Sequence, residues 1–502
     1  MRFDGDAAQA RSNGGDSMSK NMTRMILLLI IASLGVLPLG VSGTAEDSAT
    51  AAQITACEAF AQFAAILAEV RGPLLEAWNA ASGGLYGARL GTGYSNAQIA
   101  VNLLEGSASE WYAPLGNVEY PIGVRPRLEQ LRGIDGEGEC PSISYPFEGV
   151  SSALDPLLSS VRLASNALVP VLEGGLLTND VYDAFLTAQV LLEYAHERIK
   201  TLLQYWGYEV WVSPGESIQA AIDGAQAGAT IYIEPGIYRE TLEITKSITL
   251  DGWSDEIPRS PDSNTVPRFA AVLEPVREQP GIFIYSTHER IDVVINGISI
   301  TDATTGIVVL GASALRLEDS DILYCSIGLD AMGAALVEID NCLLDQNGVG
   351  LRLAGSAECI VQSSRIKAGT DTLAGIQLLE SSVSEFSDSF IRDNEGAGIL
   401  AADNAKLAIT DSYVTSNGGD GILVSGQASL QLRSASLSAN AGFGIRAVGV
   451  DCALDNPMEL PLSIGSIHGE GNFIASADVM LGNQLGAFCP QELGFLIEAN
   501  SE

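Results

Sequence analysis

A glycine followed by an aliphatic residue returns seven times in the second half of the sequence, and this recurrence constrains the fold more than any other feature. The glycines are Gly306, Gly328, Gly350, Gly375, Gly398, Gly421 and Gly444, separated by 22, 22, 25, 23, 23 and 23 residues. The next residue is always aliphatic: Ile307, Leu329, Leu351, Ile376, Ile399, Ile422 and Ile445. Eleven residues after the first six glycines come Leu317, Ile339, Val361, Phe386, Ile409 and Leu432, and sixteen after them Ile322, Leu344, Ile366, Ile391, Val414 and Leu437. The fourteenth position is small: Ser320, Cys342, Ser364, Ser389, Ser412 and Ala435. At the nineteenth, Asn347, Asn394, Asn417 and Asn440 recur, with Cys325 and Gly369 as exceptions.

Coils of this length carry short β segments that cannot bury their apolar faces alone. Stacking buries a continuous core and pairs each strand with its copies above and below, about 4.8 Å away. An inward Asn at a turn can hydrogen-bond the backbone or amide of the next coil, which leaves few buried polar groups unsatisfied. The pattern predicts a parallel β-helix of about ten or eleven coils. The L-x-x-L-x-L-x-x-N spacing of a leucine-rich horseshoe is missing.

Residues 46–206 follow a different period. Ala51–Val70, ending at Arg71-Gly72-Pro73, Val150–Leu172 and Val181–Trp206 carry apolar residues at helical spacing, and Thr178-Asn-Asp180 supplies an N-cap for the last. Between Gly83 and Pro146 the pattern is irregular, and one or two short helices are expected. An antiparallel bundle is the natural packing for such hairpins. Glu193-x-x-His196 matches half of a di-iron site, but the second copy such a site requires is missing, which favours an exposed helix face.

Before all of this, Lys20 and Arg24 precede the apolar run Met25–Leu39, and the small residues Gly40–Ala45 follow it. A basic start, a short apolar core and a small-residue exit make a secretory signal, with cleavage expected after Gly43 or Ala45. An uncleaved anchor is the alternative, and Met18 or Met22 are alternative starts. No second long apolar segment follows, so no membrane span is expected in the mature chain. The expected location is secreted, periplasmic or cell-surface. The expected division is 1–45 signal peptide, 46–206 helical domain, 207–495 β-helix with repeats of about 22–25 residues, and 496–502 tail. Among the seven cysteines, Cys57–Cys140 and Cys452–Cys489 are the expected disulfides, each within one domain. Cys325, Cys342 and Cys359 fall at different points of their repeats and read as small buried residues.

Three segments narrow the fold: Ser213–Asp223 (SPGESIQAAID), Gly228–Glu240 (GATIYIEPGIYRE) and Ile244–Gly252 (ITKSITLDG). Together they resemble the start of the right-handed parallel β-helix superfamily that includes pectin lyases and pectin methylesterases. The resemblance implies that Ser217–Asp223 is a helix closing the open core end, with Thr230–Ile233 and Ser247–Leu250 as early strands. It covers roughly residues 208–490 and implies fold more than activity. Gly469–Ile474 is similar to the last turn of such helices, where Cys452–Cys489 would pin the cap. The fold class expected is therefore mainly β: a right-handed parallel β-helix solenoid with an N-terminal α-helical domain.

Charge bounds the partners. With 26 Lys+Arg against 62 Asp+Glu the net charge is 26 − 62 = −36, which excludes sequence-independent nucleic-acid binding and argues against a bare acidic glycan. The chemistry of the resembling families is not matched in turn. The later motifs of pectin methylesterases are absent. Of the polygalacturonase motifs only Arg365-Ile366-Lys367 is present, where Ile366 belongs to the core column and outward Arg and Lys follow from the pattern. The repeat style is similar to that of the nitrous oxide reductase copper-maturation factor, but His196, His288 and His468 are scattered and no C-x-x-C exists.

The nearest approach to a lyase site is Asp388, Arg392 and Asp393 with Asp411 one coil further on. Asp388 and Asp411 share a column, which would allow them to hold Ca²⁺ through oxygen ligands; as solvated turn aspartates they need no ligand, and that reading is preferred. Four aromatic residues of the repeats, Phe386, Phe390, Tyr413 and Phe443, make a sugar-stacking platform hard to assemble. The expected function is binding of a polysaccharide or cell-surface glycan without catalysis. The alternatives are a polysaccharide lyase, hydrolase or esterase with a non-standard site, and a structural or adhesive scaffold whose helical domain docks a protein partner.

Overall fold

The computed structural model describes residues 54–87, 93–114, 122–134, 136–137, 140, 143, 150–174, 176, 178–252, 269–276, 278–286, 289–367, 369–371, 373–448, 467–474, 482–489 and 497–499. The expected signal peptide lies outside these residues.

Among the described residues five α-helices precede the strands of the second half: α1 Ala56–Gly87, α2 Gly93–Glu105, α3 Val124–Gln130, α4 Val150–Glu173 and α5 Thr178–Tyr205. A 3-10 turn, Leu131–Gly133, follows α3. Helix α1 packs on α2 and α5, and α4 packs on α2 and α5. Phe60, Phe63 and Leu67 of α1 meet Leu157 of α4, Phe185 and Leu192 of α5, and Trp206 in one apolar core. The Trp206 indole lies edge-on to Phe60, with ring centroids 5.3 Å apart. No helix among the described residues is long and apolar enough to cross a membrane.

Helix α1 does not end at Arg71-Gly72-Pro73 as expected but continues to Gly87. Pro73 has no N–H to donate, and a proline inside a helix costs about 3 kcal/mol. Burial of Val70, Leu74 and Ala77 on the core side of the same helix offsets that loss. Gly84 lies under Phe185: a side chain there would collide with the Phe185 ring. Its smallness serves helix contact rather than termination. The bundle is stapled by the disulfide Cys57–Cys140, as expected.

From Glu209 the chain winds into a parallel β-solenoid of about nine turns by residue 447, with the strands Ile467–Ile474 and Gly486–Cys489 following beyond it. Each coil contributes to three sheets. Sheet A holds ten strands from Leu242–Ile244 to Gly486–Cys489, with Thr305–Gly311 as a typical member. Sheet B includes Glu209–Val212 and Ala314–Glu318, and sheet C includes Asp321–Leu323, Arg365–Lys367, Phe390–Arg392 and Tyr413–Thr415. The registers reproduce the sequence columns: Ile307 pairs with Leu329, Leu329 with Leu351, Leu351 with Ile376, and Ile376 with Ile399. These residues are fully buried, as are Leu317, Phe386, Ile322 and Ile391 in the other two columns. Burying one such side chain contributes about 1.5–3 kcal/mol.

Two polar ladders run inside the stack. Asn417 accepts from the backbone N and side-chain Nδ2 of Asn394, and Asn440 accepts from the same two donors of Asn417. At the fourteenth position, Ser364, Ser389 and Ser412 each accept the backbone N–H of the preceding coil. Cys342 stands in this serine column and Cys325 in the asparagine column, both buried outside any disulfide, as is Cys359. Cys489 is disulfide-bonded; Cys452, its expected partner, lies outside the described residues.

The open end of the core is closed by α6, Ile218–Gly224, within the segment the resemblance singled out. Ile218 and Ile222 enter the solenoid core. Ser217 caps the helix by accepting from Ala220 N, and the Glu240 carboxylate accepts from Ser217 Oγ and from the backbone N of Ile218 and Gln219. At the far end Ile497–Ala499, within the segment read as a tail, forms a strand beside Gly469 and Asn472.

Candidate functional site

Left-handed backbone at residues other than glycine recurs at two turns of the repeat. One position is held by Asp319, Asn341, Ser363, Asp388, Asp411 and Ser434, with φ between 43° and 51°. The other is held by Tyr324, Gln346, Asp393, Ser416 and Ala439, with φ between 55° and 58°. Asp and Asn tolerate this region best among residues with a side chain. Three of the four candidate site residues are thereby placed: Asp388 and Asp411 occupy the first turn on successive coils, Asp393 the second, and all three are exposed. Arg392 reaches Asp393, 3.6 Å away. Among the described residues no three His, Cys, Asp or Glu side chains gather closely enough to hold a metal ion.

Between those two turns lies the outward face of sheet C. Alternation along a strand sends Ile366, Ile391 and Val414 into the core, so their neighbours project outward. One outward row runs Arg365, Phe390, Tyr413, Ser436 and the other Asp345, Lys367, Arg392, Thr415. Phe390 and Tyr413 stack, with ring centroids 4.9 Å apart and planes inclined by 6°. The Arg365 guanidinium lies over the Phe390 ring, 5.1 Å from its centroid. Tyr413 ends the aromatic run and is 46% exposed. Beside this stack Lys367 pairs with Asp345 at 3.1 Å. Asp345 is buried, and its Oδ1 accepts no hydrogen bond. The two carboxylates at Asp345 and Asp393 thus balance Lys367 and Arg392.

The aromatic residues that looked too few for a platform are distributed differently from one another. Phe386 is inside the core. Phe390 and Tyr413 share the fifteenth position after their glycines, and that coincidence of column was the available signal.

Two other clusters engage their charged side chains in ion pairs. On the outward face of sheet A, Arg352 grips buried Asp330 through two nitrogens, and Arg446 pairs with buried Asp420 at 2.8 Å. Ala374, Ala397, Leu400 and Leu423 fill the same face as a small apolar cluster. Where the helical domain meets the first coil, Arg71 pairs with Glu209 and donates to the Tyr232 hydroxyl at 3.2 Å and to His196 Nε2 at 3.3 Å. Trp211 stacks on Tyr232 at 4.6 Å, and Lys200 lies over the Trp211 ring. Burial, reinforced by the Arg71 charge, holds His196 below the usual imidazole range. Burial pushes the Glu209 carboxyl up, against the pull of Arg71. His196 is thus part of the contact between helices and solenoid rather than an exposed helix face, while Glu193 is exposed.

Residues 280–437 match the right handed beta helix region family. The solenoid is a right-handed β-helix. Several solved structures are similar to the chain. An alginate lyase from Paenibacillus sp. FPU-7 is 14% identical with a TM-score of 0.40, over 56% of this chain and 97% of that one. The periplasmic alginate epimerase AlgG is 14% identical with a TM-score of 0.32, over 56% and 76%. The A-module of the Azotobacter vinelandii mannuronan C-5 epimerase AlgE6 is 16% identical with a TM-score of 0.31, over 52% and 82%. At these scores they bear on no individual residue of this β-helix. No curated protein matches the chain.

Proposed function

We propose that this is an exported glycan-binding protein that holds its ligand along sheet C of the β-helix and does no chemistry on it. The Arg365–Phe390–Tyr413 stack carries this reading. Rings stacked along the helix axis offer an open face at the end of the run. Tyr413 is that end, and Ser436, next in its row, is too small to cover it. A sugar ring laid over Ser436 would meet the Tyr413 face with its C–H groups and place its hydroxyls beside Thr415 and Arg392. Such contacts with an aromatic anchor dominate recognition at many interfaces.

Charge and pairing support binding over catalysis and favour a neutral glycan. Lys367 and Arg392 are each engaged by a carboxylate, and the Arg365 guanidinium lies over Phe390. Exposed Asp388 and Asp411 add negative charge at the edge of the strip, which would repel a polyuronate. Isothermal titration with neutral and uronate oligosaccharides, each against the wild type and Tyr413→Ala, tests the reading. It stands if a neutral oligosaccharide binds intact and the variant weakens it. It falls if no neutral sugar binds, or if the bound sugar is recovered cleaved.

A further inference from the structure

The outer face of α5 carries a ridge that the bundle does not use. Its inner face buries Phe185, Ala188, Leu192, Ala195 and Ile199. On the other side Tyr182, Leu186, Val190 and Tyr194 follow at intervals of four and are 38%, 41%, 56% and 50% exposed. Residues four apart on a helix form one continuous ridge, here about 18 Å long. Aromatic and branched side chains in one such line are the surface composition of a contact rather than of a solvated face.

The charge around the ridge selects the occupant. Asp183, Glu193 and Glu197 are exposed on the same face. Lys200 lies over Trp211 and pairs with Glu197 at 3.9 Å, and Arg198 is half-buried, so Asp183 and Glu193 carry the charge this face offers. His196 faces Arg71. A second copy would set Asp183 and Glu193 against their counterparts on chains of net charge −36, and anionic lipid headgroups would be repelled in the same way. We propose that this face docks a cationic amphipathic helix of another protein, its apolar side chains in the grooves beside the ridge and its Lys or Arg residues over Asp183 and Glu193. The ridge suits helix-on-helix packing, in which rows of side chains four apart interdigitate at a crossing near −50°.

The test uses the full chain and two synthetic peptides with the same leucines at helical spacing, one flanked by lysines and the other by glutamates. Fluorescence anisotropy of each labelled peptide is followed with the wild type, Val190→Asp and Leu186→Ala, while light scattering reports the mass of each protein. The lysine peptide should bind at least about tenfold more tightly than the glutamate peptide. Val190→Asp should weaken it by about tenfold or more although it adds negative charge, and Leu186→Ala should weaken it less. Four results would overturn the proposal: no binding of the lysine peptide, equal binding of both peptides, binding unchanged by Val190→Asp, or a wild-type dimer that Val190→Asp dissociates. Removal of residues 1–45 is the last arm. If the lysine peptide binds only after that removal, the ridge belongs to this chain's own leader and the proposal also fails.

Discussion

The ring of Phe390 stacks on that of Tyr413 across one rung of sheet C, 4.9 Å between centroids. That distance is the spacing of adjacent strands, so the stack is a direct product of the repeat: two aromatics in one column of an in-register sheet have nowhere else to go. Phe390 supports Tyr413 from one side and leaves its other side to a ligand. Phe390→Leu should therefore lower glycan affinity by several-fold through loss of that support, while the unfolding midpoint changes little, because the site lies on the outer face. A calorimetric titration beside a denaturant melt separates the two effects.

The asparagine ladder predicts a stability effect. Asn417→Ala removes the oxygen that accepts both the backbone N–H and the side-chain amide of Asn394. Two buried donors are then left without a partner, at a cost of about 2–4 kcal/mol. Urea unfolding should show a lower midpoint for this variant, whereas Ser416→Ala, exposed beside it, should move the midpoint far less.

The disulfide predicts a regional effect. Cys57 and Cys140 are 83 residues apart, and a cross-link closing a loop of that size stabilises by about 4 kcal/mol. The double variant Cys57→Ser, Cys140→Ser should melt its helical signal at lower temperature while the β signal melts as before. Circular dichroism at two wavelengths reads both.

The junction predicts a pH dependence. His196 is depressed in the folded chain, by burial first and by Arg71 second. The unfolded imidazole takes up a proton near pH 6.5 and the folded one only at lower pH, so stability is lost as pH falls below about 6.5. Glu209 acts in the opposite sense at lower pH: its folded carboxyl is raised, takes its proton first, and stability is regained as pH falls through that range. His196→Gln should flatten the decline below about pH 6.5, measured as thermal midpoints across a pH series. An unchanged slope would remove His196 from the account.

The inward half of the β-helix was legible in the sequence and the outward half was not. Columns such as Ile322, Leu344, Ile366 and Ile391 must be apolar in every coil, so they show as a period. Outward rows bear no such requirement: Arg365, Phe390, Tyr413 and Ser436 share a row and no chemistry. Their adjacency becomes visible only once the register is known. The sequence favours Asp388 and Asp411 as solvated turn aspartates, and the turns that they and Asp393 occupy have positive φ. Pro73 hides the continuity of helix α1 for a related reason. Local propensity registers the lost hydrogen bond, while the burial of Val70, Leu74 and Ala77 that outweighs it depends on α2 and α5. The cluster of Arg71, His196, Glu209 and Tyr232 joins residues up to 161 apart, beyond the reach of any spacing rule.

The central claim is that the end of the aromatic stack at Tyr413 holds a sugar. The most direct measurement is the dissociation constant of a neutral oligosaccharide for the wild type and for Tyr413→Ala, with both shown by circular dichroism to be folded alike. The account predicts a weakening of about tenfold, equivalent to ~1.4 kcal/mol of lost stacking. Equal dissociation constants for the two proteins would contradict it.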